Sequence, residues 1–478
     1  MNVAEDVIES LSRRPSRVAL VIGRSALASG HLAERARRVS AALHATGLRA
    51  GDTVALAVRP SASALAAFLG AARIGLRVAL VDPFAGAELV AARLRRADTA
   101  LIIADASAQV MSTMAAPVAR RMGLHLPNLP SIAPVATIGR RTIGLAPSIE
   151  DHTFPDPGPV DGDDALIIFT SGTTAAPRAV VHTHRSIAEG LGAIRSLIDV
   201  REGHTVMGGT FFVMVPALMA GATVILPPRR ARSVAGLFAD RTPDVSYLTP
   251  PQLRDILAEA PRLHGRIFAG SAPVTTALLG RLKAAGADEA WGVYAMSEAF
   301  PVAAVEEREK AAYAGPGDLL GRPFAGVEVT VDDIGQLCVH GAGVCDRYLG
   351  EARLGAVASG DRGVVDSDGR IVMQGRLKDM ILRAAENIYP GLYEPALHVQ
   401  GVASALLLGV PDLDGDEEVV LLIECEEGIA QSVVERRLRA PLDAMGFARP
   451  TRIVFARIPT HGRSRKPDRD AARRLVAR

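Results

Sequence analysis

The stretch that most constrains this chain is an apolar, β-branched run, Ala165 to Phe169, that breaks into Thr170-Ser171-Gly172-Thr173-Thr174-Ala175-Ala176-Pro177-Arg178. The run reads as a buried strand, and the letters after it form a loop closed by Pro177. Four side-chain hydroxyls (Thr170, Ser171, Thr173, Thr174) and the backbone amides beside Gly172 would converge on whatever sits there. Such a concavity suits phosphate, because each donor offers a hydrogen bond to an anionic oxygen. The pattern G-x-x-x-x-G-K-[ST] is absent, which excludes a P-loop NTPase. A plain Ser/Thr turn between two strands would carry similar letters, so the rest of the chain decides.

The chain before the loop alternates between two periods. Leu32, Ala36, Val39 and Leu43 recur at helical spacing and stop near Gly47. Val54 to Val58 reads as a strand, Ala62 to Ala72 as a helix, and Val78 to Val81 as a strand. A helix over Ala87 to Arg96 and a strand over Ala100 to Ala104 follow. This alternation implies a parallel sheet covered by helices. Residues 105–160, rich in Pro and Ser, carry little pattern.

Beyond the loop, Ser186 to Ile198 reads as a helix, and Thr223 to Leu226 and Val245 to Leu248 as strands. Arg266 to Ala269 runs into Gly270-Ser271-Ala272-Pro273 and then a helix to Ala285, a second strand-turn-helix unit in which Gly permits close ligand approach. Between Val327 and Met373 short β runs alternate with Asp-Gly-type turns, which suggests a small β subdomain. After Lys378 the pattern becomes mixed again, with strands at Ser404 to Leu408, Val419 to Glu424 and Arg452 to Phe455, and a helix at Gln431 to Arg439. A hinge near Lys378 would divide the chain into 1–377, with its β subdomain at about 318–377, and 378–478.

A chain of 478 residues is too long for one core. Net charge of +2 argues against a nucleic-acid partner. The three cysteines form neither a metal-ligand spacing nor a disulfide framework. Phe211 to Leu226 is short for a bilayer span and contains Pro216 and Gly221, so a buried strand-turn-helix fits it better than a membrane segment. With no signal peptide evident, the expected location is cytoplasmic. Lysine occurs at only four positions, Lys283, Lys310, Lys378 and Lys466, which makes each one informative.

The loop resembles the phosphate-binding motif T-S-G-[ST]-T-G-x-P-K-G-V of the acyl-adenylate-forming superfamily, with Ala175, Arg178 and Ala179 departing from it. Further resemblances follow in that family's order. Gly270-Ser271-Ala272-Pro273 resembles its adenine-side turn, and Tyr294-Ala295-Met296-Ser297-Glu298 its Y-G-x-T-E motif. The resemblance implies Tyr294 along adenine, Ser297 on the α-phosphate and Glu298 on Mg²⁺. Ser359-Gly360-Asp361 resembles [ST]-G-D, implying that Asp361 accepts the ribose hydroxyls. Gly375-Arg376-Leu377-Lys378-Asp379 resembles G-R-x-[DK]-D, implying Arg376 on ribose or phosphate and Lys378 at the hinge. Near the end, Lys466 aligns with the catalytic lysine of G-K-x-x-R, with Arg465 replacing the Gly before it. The fold implied is α/β: a large N-terminal domain of helix-covered sheets with a small β-barrel subdomain, a hinge, and a small mobile α+β C-terminal domain. The activity implied is ATP- and Mg²⁺-dependent activation of a small carboxylic acid, with release of pyrophosphate.

The family then passes the acyl group to an acceptor. Thioester-forming members border their thiol tunnel with a Gly-Gly pair, and here that pair is Ala384-Ala385. Two strings, Ser297-Glu298-Ala299-Phe300-Pro301-Val302-Ala303 and the Pro216-Ala217-Leu218 context, resemble the β-lactone synthetase branch. That branch lets the 3-hydroxyl of its own substrate displace AMP, exploiting proximity within one molecule. Phe211, Phe212 and Met296 are the expected acyl-pocket residues. Two acceptors stay open, an internal hydroxyl or the thiol of CoA or a carrier protein, as does a silent nucleotide binder. The identity of the acid and the oligomeric state stay open as well.

Overall fold

The computed structural model describes residues 2–121, 124–140, 144–170, 178–228, 230–259, 261–384, 386–411, 416–462 and 465–477. The chain forms two compact units. The first comprises Met1–Leu248, Ser297–Pro301 and Ala342–Gly355, and the second Thr249–Met296, Val302–Gly341 and Ala356–Arg478.

In the first unit the predicted alternation builds a parallel sheet. Thr53–Ala57 lies between Arg77–Leu80 and Thr99–Ala104, and Arg77–Leu80 pairs in turn with Asp164–Phe169. Strands buried on both faces are continuous apolar runs, and Thr53–Ala57 is buried at every position. The direction reverses at one edge, at Ala179–Thr183 and again at Arg347–Tyr348. Asp164–Phe169 and Ala179–Thr183 pair antiparallel, with Phe169 opposite Ala179, so the hydroxyl-rich stretch connects neighbouring strands. Ile102, Ile167 and Val181 pack in one core beneath it, each contributing roughly 1.5–3 kcal/mol by leaving water. The helix His184–Ile198 starts directly after the second strand through a capping box: Ser186 N–H donates to Thr183 Oγ1, and Thr183 N–H donates to Ser186 Oγ, both at 3.1 Å.

A second group of strands in this unit pairs Thr205–Gly208 in parallel with both Val245–Leu248 and Thr223–Leu226. Phe211 to Leu226 corrects the expected order: a helix, Phe211–Met219, precedes the strand Thr223–Leu226. Pro216 is tolerated inside that helix. Among the described residues no helix is long and apolar enough to cross a membrane. Among the elements the pattern did not bring out are the N-terminal helix Val3–Ser12, capped by Asn2, the short helices Ala106–Ser112 and Ala116–Arg121, and the helices Ala231–Arg241 and Pro250–Ala258.

In the second unit, Arg266–Ala269 pairs in parallel with Glu289–Met296. The β-rich segment is antiparallel: Val327–Val331, Gln336–Gly341, Val357–Val365, Ile371–Arg376 and Asp318–Pro323 neighbour one another in that order. Gly375, at φ 143°, passes so close to Gly391 that a Cβ would sit 3.1 Å from its nitrogen. Farther on, Val402–Pro411, Glu417–Cys425 and Arg452–Phe455 form a three-stranded sheet. The helix Gln431–Asp443 covers one face and Arg469–Val476 the other.

Candidate functional site

The hydroxyl-rich stretch is framed by Thr170 and Arg178, while Ser171, Gly172, Thr173 and Thr174 lie outside the described residues. Thr170 N–H donates to the Arg178 carbonyl at 3.1 Å, which closes the frame. From behind, the buried Arg93 guanidinium donates to the Thr170 carbonyl at 2.6 Å and lies over the Phe169 ring. Burial lowers the pKa of Arg93, an expected cost of an internal cation.

Arg178, the substitute for the family's Lys, lies over the Tyr348 ring at 4.9 Å. A planar guanidinium stacks on an aromatic face in a way an ammonium does not match. The Tyr348 hydroxyl in turn donates to Glu298 Oε1 at 3.2 Å. Burial, and next the Glu298 charge, push the Tyr348 phenol up to about 12, so it stays a proton donor. The backbone beside Glu298 is held twice. Cys345 N–H donates to the Glu298 carbonyl at 2.7 Å, and His182 Nε2 reaches the Ser297 carbonyl at 2.7 Å. Burial pushes the His182 imidazole down to about 4. The neutral ring therefore donates from Nε2, and its Nδ1 faces the Ser186 hydroxyl at 3.2 Å.

The apolar candidates Phe211 and Phe212 join a chain of rings. Phe68 and Phe211 have centroids 4.1 Å apart, Phe212 and Phe300 3.8 Å, and Phe300 and His182 4.9 Å. Gly190 makes room for this wall, since a Cβ there would lie 2.4 Å from the Phe300 carbonyl oxygen. The Thr210 hydroxyl, at the start of the same helix, is buried with no partner among the described residues.

A second cluster belongs to the other unit. Asp361, 4% exposed, sits opposite Arg376 in the antiparallel pair of Val357–Val365 and Ile371–Arg376. Arg376 Nε donates to Asp361 Oδ1 at 3.1 Å, and the Tyr294 hydroxyl to Oδ2 at 2.7 Å. Burial first, then the Asp361 charge, raise the Tyr294 phenol well above its ordinary range. Met296 ends the strand that carries Tyr294. The turn Gly270 to Pro273 follows Arg266–Ala269, with Ser271 at φ 67°. Lys378 lies in the 3₁₀ turn Leu377–Asp379, and Lys466 in the hairpin pairing Thr460–His461 with Lys466–Pro467.

Sequence reasoning thus selected Glu298 but missed Tyr348, which donates to its carboxylate, and gave no role to His182, which reaches the Ser297 carbonyl beside it. His182 ends the loop motif, where the resembled pattern ends in a His or similar residue, but the motif alone gave it no partner. Tyr348 is brought to Glu298 by chain closure over 50 residues, and no local pattern announces it. Among the described residues no group of three or more His, Cys, Asp or Glu could hold a metal alone.

Comparison with known proteins places this fold among the adenylate-forming ligases, and this protein is an ATP-dependent enzyme of that class. The chain belongs to the AMP-binding enzyme family, whose model matches residues 7–349. It is similar to a fatty acid–[acyl-carrier-protein] ligase, ScoC, of Streptomyces coeruleorubidus, at 28% identity over 92% of this chain and 90% of that one. It is also similar to an olefin β-lactone synthetase of Stenotrophomonas maltophilia, at 27% identity over 92% and 91%. The fold matches that of an amide bond synthetase from Marinactinospora thermotolerans, with a TM-score of 0.82 at 22% identity over 99% of both chains.

Proposed function

We propose that this ligase adenylates a 3-hydroxy carboxylic acid and then closes the acyl-adenylate to a β-lactone. In the first step a carboxylate oxygen attacks the α-phosphorus of ATP, forming the acyl–phosphate bond while the bond to pyrophosphate breaks. Thr170 to Thr174 and Arg178 donate to the phosphates, Ser297 contacts the α-phosphate, and Lys466 meets the charge that develops there. Asp361, held by Tyr294 and Arg376, accepts the ribose hydroxyls, and Gly270 to Pro273 borders adenine. Bound at Glu298, Mg²⁺ would offset the charge of the departing pyrophosphate. In the second step the substrate's 3-hydroxyl attacks the acyl carbon, loses its proton, and AMP leaves. The working division is 1–377 and 378–478 with the hinge at Lys378, in the cytoplasm where ATP is supplied.

The observation that carries the lactone reading is Ala384. It adopts φ 47°, a left-handed conformation suited to glycine, and yet it carries a methyl group. Its N–H is fixed by the Asp416 carboxylate at 2.7 Å. Where the resembled thioester-forming pattern has glycine beside a thiol passage, the Ala384 methyl would narrow it. The thioester reading has its own support, the similarity to a carrier-protein ligase and to CoA ligases at the same 28% identity.

A panel of acids with ATP and Mg²⁺, with and without CoA, separates the two by mass spectrometry. The 3-hydroxy acids should turn over to lactone without a thiol, and the matching 3-deoxy acids should stall as bound acyl-AMP. Rapid CoA-dependent turnover of a simple saturated acid would sink the lactone reading and leave the thioester one.

A further inference from the structure

Lys466 lies between two arginines that hold the chain on either side of it. Three residues on, the half-buried Arg469 is surrounded by acceptors. It donates to both Glu394 carboxylate oxygens at 2.6 and 2.7 Å and to the Leu407 carbonyl at 2.9 Å, and it pairs with Asp379 at 3.2 Å. That end of the hairpin is fixed to the body of the three-stranded sheet. The other end is fixed differently. Arg465 turns the chain at φ 49°, a left-handed conformation in which glycine is at ease and a side chain is not. The side chain that glycine would lack reaches Asp255 on the helix Pro250–Ala258, at 2.5 Å.

We propose that Arg465 and Asp255 are positioning residues for adenylation: their ion pair docks the hairpin turn on the helix Pro250–Ala258 and so sets where the Lys466 ammonium is presented. This rests on the reading of Lys466 as the cation that meets the developing charge. The pair is about half exposed, with side chains at 44% and 47%, so it contributes little to overall stability. Its effect is on orientation. Arg254 feels Arg465, Glu424, Asp255 and Arg281 together, so these charges share one place. A second pair joins Arg281, on the helix Thr276–Ala284, to Glu426, just past the strand Glu417–Cys425. Neutralising Asp255 therefore leaves Arg465 facing the like charge of Arg254, and the turn loses its seat. Replacing Arg465 by glycine relieves the backbone and also removes the pair. Stability and activity should then move in opposite directions.

The test is carboxylate-dependent exchange of labelled pyrophosphate into ATP, together with thermal melting, for D255N, R465G, R465D, the swap D255R/R465D, and K466A. Each single change at 255 or 465 should lower the exchange rate about five- to twentyfold, with the KM for ATP within about twofold. The melting temperature of R465G should equal or exceed that of the parent. The swap should recover exchange to within about threefold of the parent, because the opposite charges meet again. Unchanged exchange in the single variants, or a swap no better than R465D, overturns the positioning role. Near-normal exchange by K466A overturns instead the reading of Lys466 on which it rests. A dead K466A beside unaffected variants at 255 and 465 leaves that reading intact and removes the positioning proposal alone.

Discussion

Asp361 and Glu298 are both carboxylates with a tyrosine hydroxyl aimed at them and an arginine nearby, and they differ in how much of each is already used. At Asp361 both oxygens are engaged, one by Tyr294 at 2.7 Å and one by Arg376 at 3.1 Å, in a residue almost fully buried. At Glu298 only Oε1 accepts, from Tyr348 at 3.2 Å, and Oε2 takes no hydrogen bond among the described residues. Arg178 reaches the face of Tyr348 and not the carboxylate. The first carboxylate is a preformed acceptor, fixed in place before any ligand arrives, which suits recognition of a rigid sugar. The second has one oxygen without a hydrogen bond among the described residues, the side on which the proposed Mg²⁺ would bind. Both tyrosines have raised pKa values because they are buried beside the anion they serve, so each remains a donor at working pH.

The largest separation between the two should come from Asp361→Asn. The amide keeps one acceptor oxygen but turns an NH₂ toward either Tyr294 or Arg376, donor against donor, and removes the charge. The expected loss is about a hundredfold in kcat/KM for ATP, with the Mg²⁺ dependence at saturating ATP unchanged. Pyrophosphate exchange titrated separately with ATP and Mg²⁺ reads both. A loss under threefold would mean that Asp361 holds the sheet and not the nucleotide.

Glu298→Gln should show the mirror pattern at a smaller scale. The half-saturating Mg²⁺ concentration should rise about tenfold, while the KM for ATP at saturating Mg²⁺ stays within about threefold. An ATP effect as large as that of Asp361→Asn would dissolve the distinction between the two carboxylates.

How much of this was legible beforehand follows from what makes each feature. The strands Thr53–Ala57, Arg77–Leu80 and Thr99–Ala104 were readable because burial on both faces demands unbroken apolar runs. The N-terminal helix was equally readable in principle: Val3, Val7, Ile8 and Leu11 are buried at helical spacing behind an Asn2 cap. The lysine scarcity picked out Lys378 and Lys466, and the structure gives the other two plain structural partners. Lys310 is buried against Asp318 at 2.6 Å, and Lys283 donates to the Asp288 carbonyl. Phe211 to Leu226 was misordered because a short apolar run has no period that tells helix from strand. Asp361 was legible through a local motif. The groups around Glu298 were not, since Tyr348 reaches its carboxylate from 50 residues away and His182 reaches the neighbouring Ser297 carbonyl from 115. A sequence shows which side chains can do chemistry more readily than which ones hold them still.

Tyr348→Phe gives the smallest and sharpest test of that last point. The phenylalanine ring keeps its place under Arg178, so the cation–π contact survives and only the hydroxyl is lost. A 3.2 Å hydrogen bond to a partly exposed carboxylate is a modest one, and its removal should raise the half-saturating Mg²⁺ concentration by about two- to fivefold. The rate at saturating Mg²⁺ and the melting temperature should hardly move, because the fold loses neither a ring nor a charge. Tyr348→Leu removes the ring as well and releases Arg178, so it should add a rise in the KM for ATP that Tyr348→Phe does not show. If Tyr348→Phe matches the parent at every Mg²⁺ concentration while Tyr348→Leu fails, the tyrosine serves only as a platform for Arg178. The single hydrogen bond to Glu298 would then have no part in preparing the carboxylate.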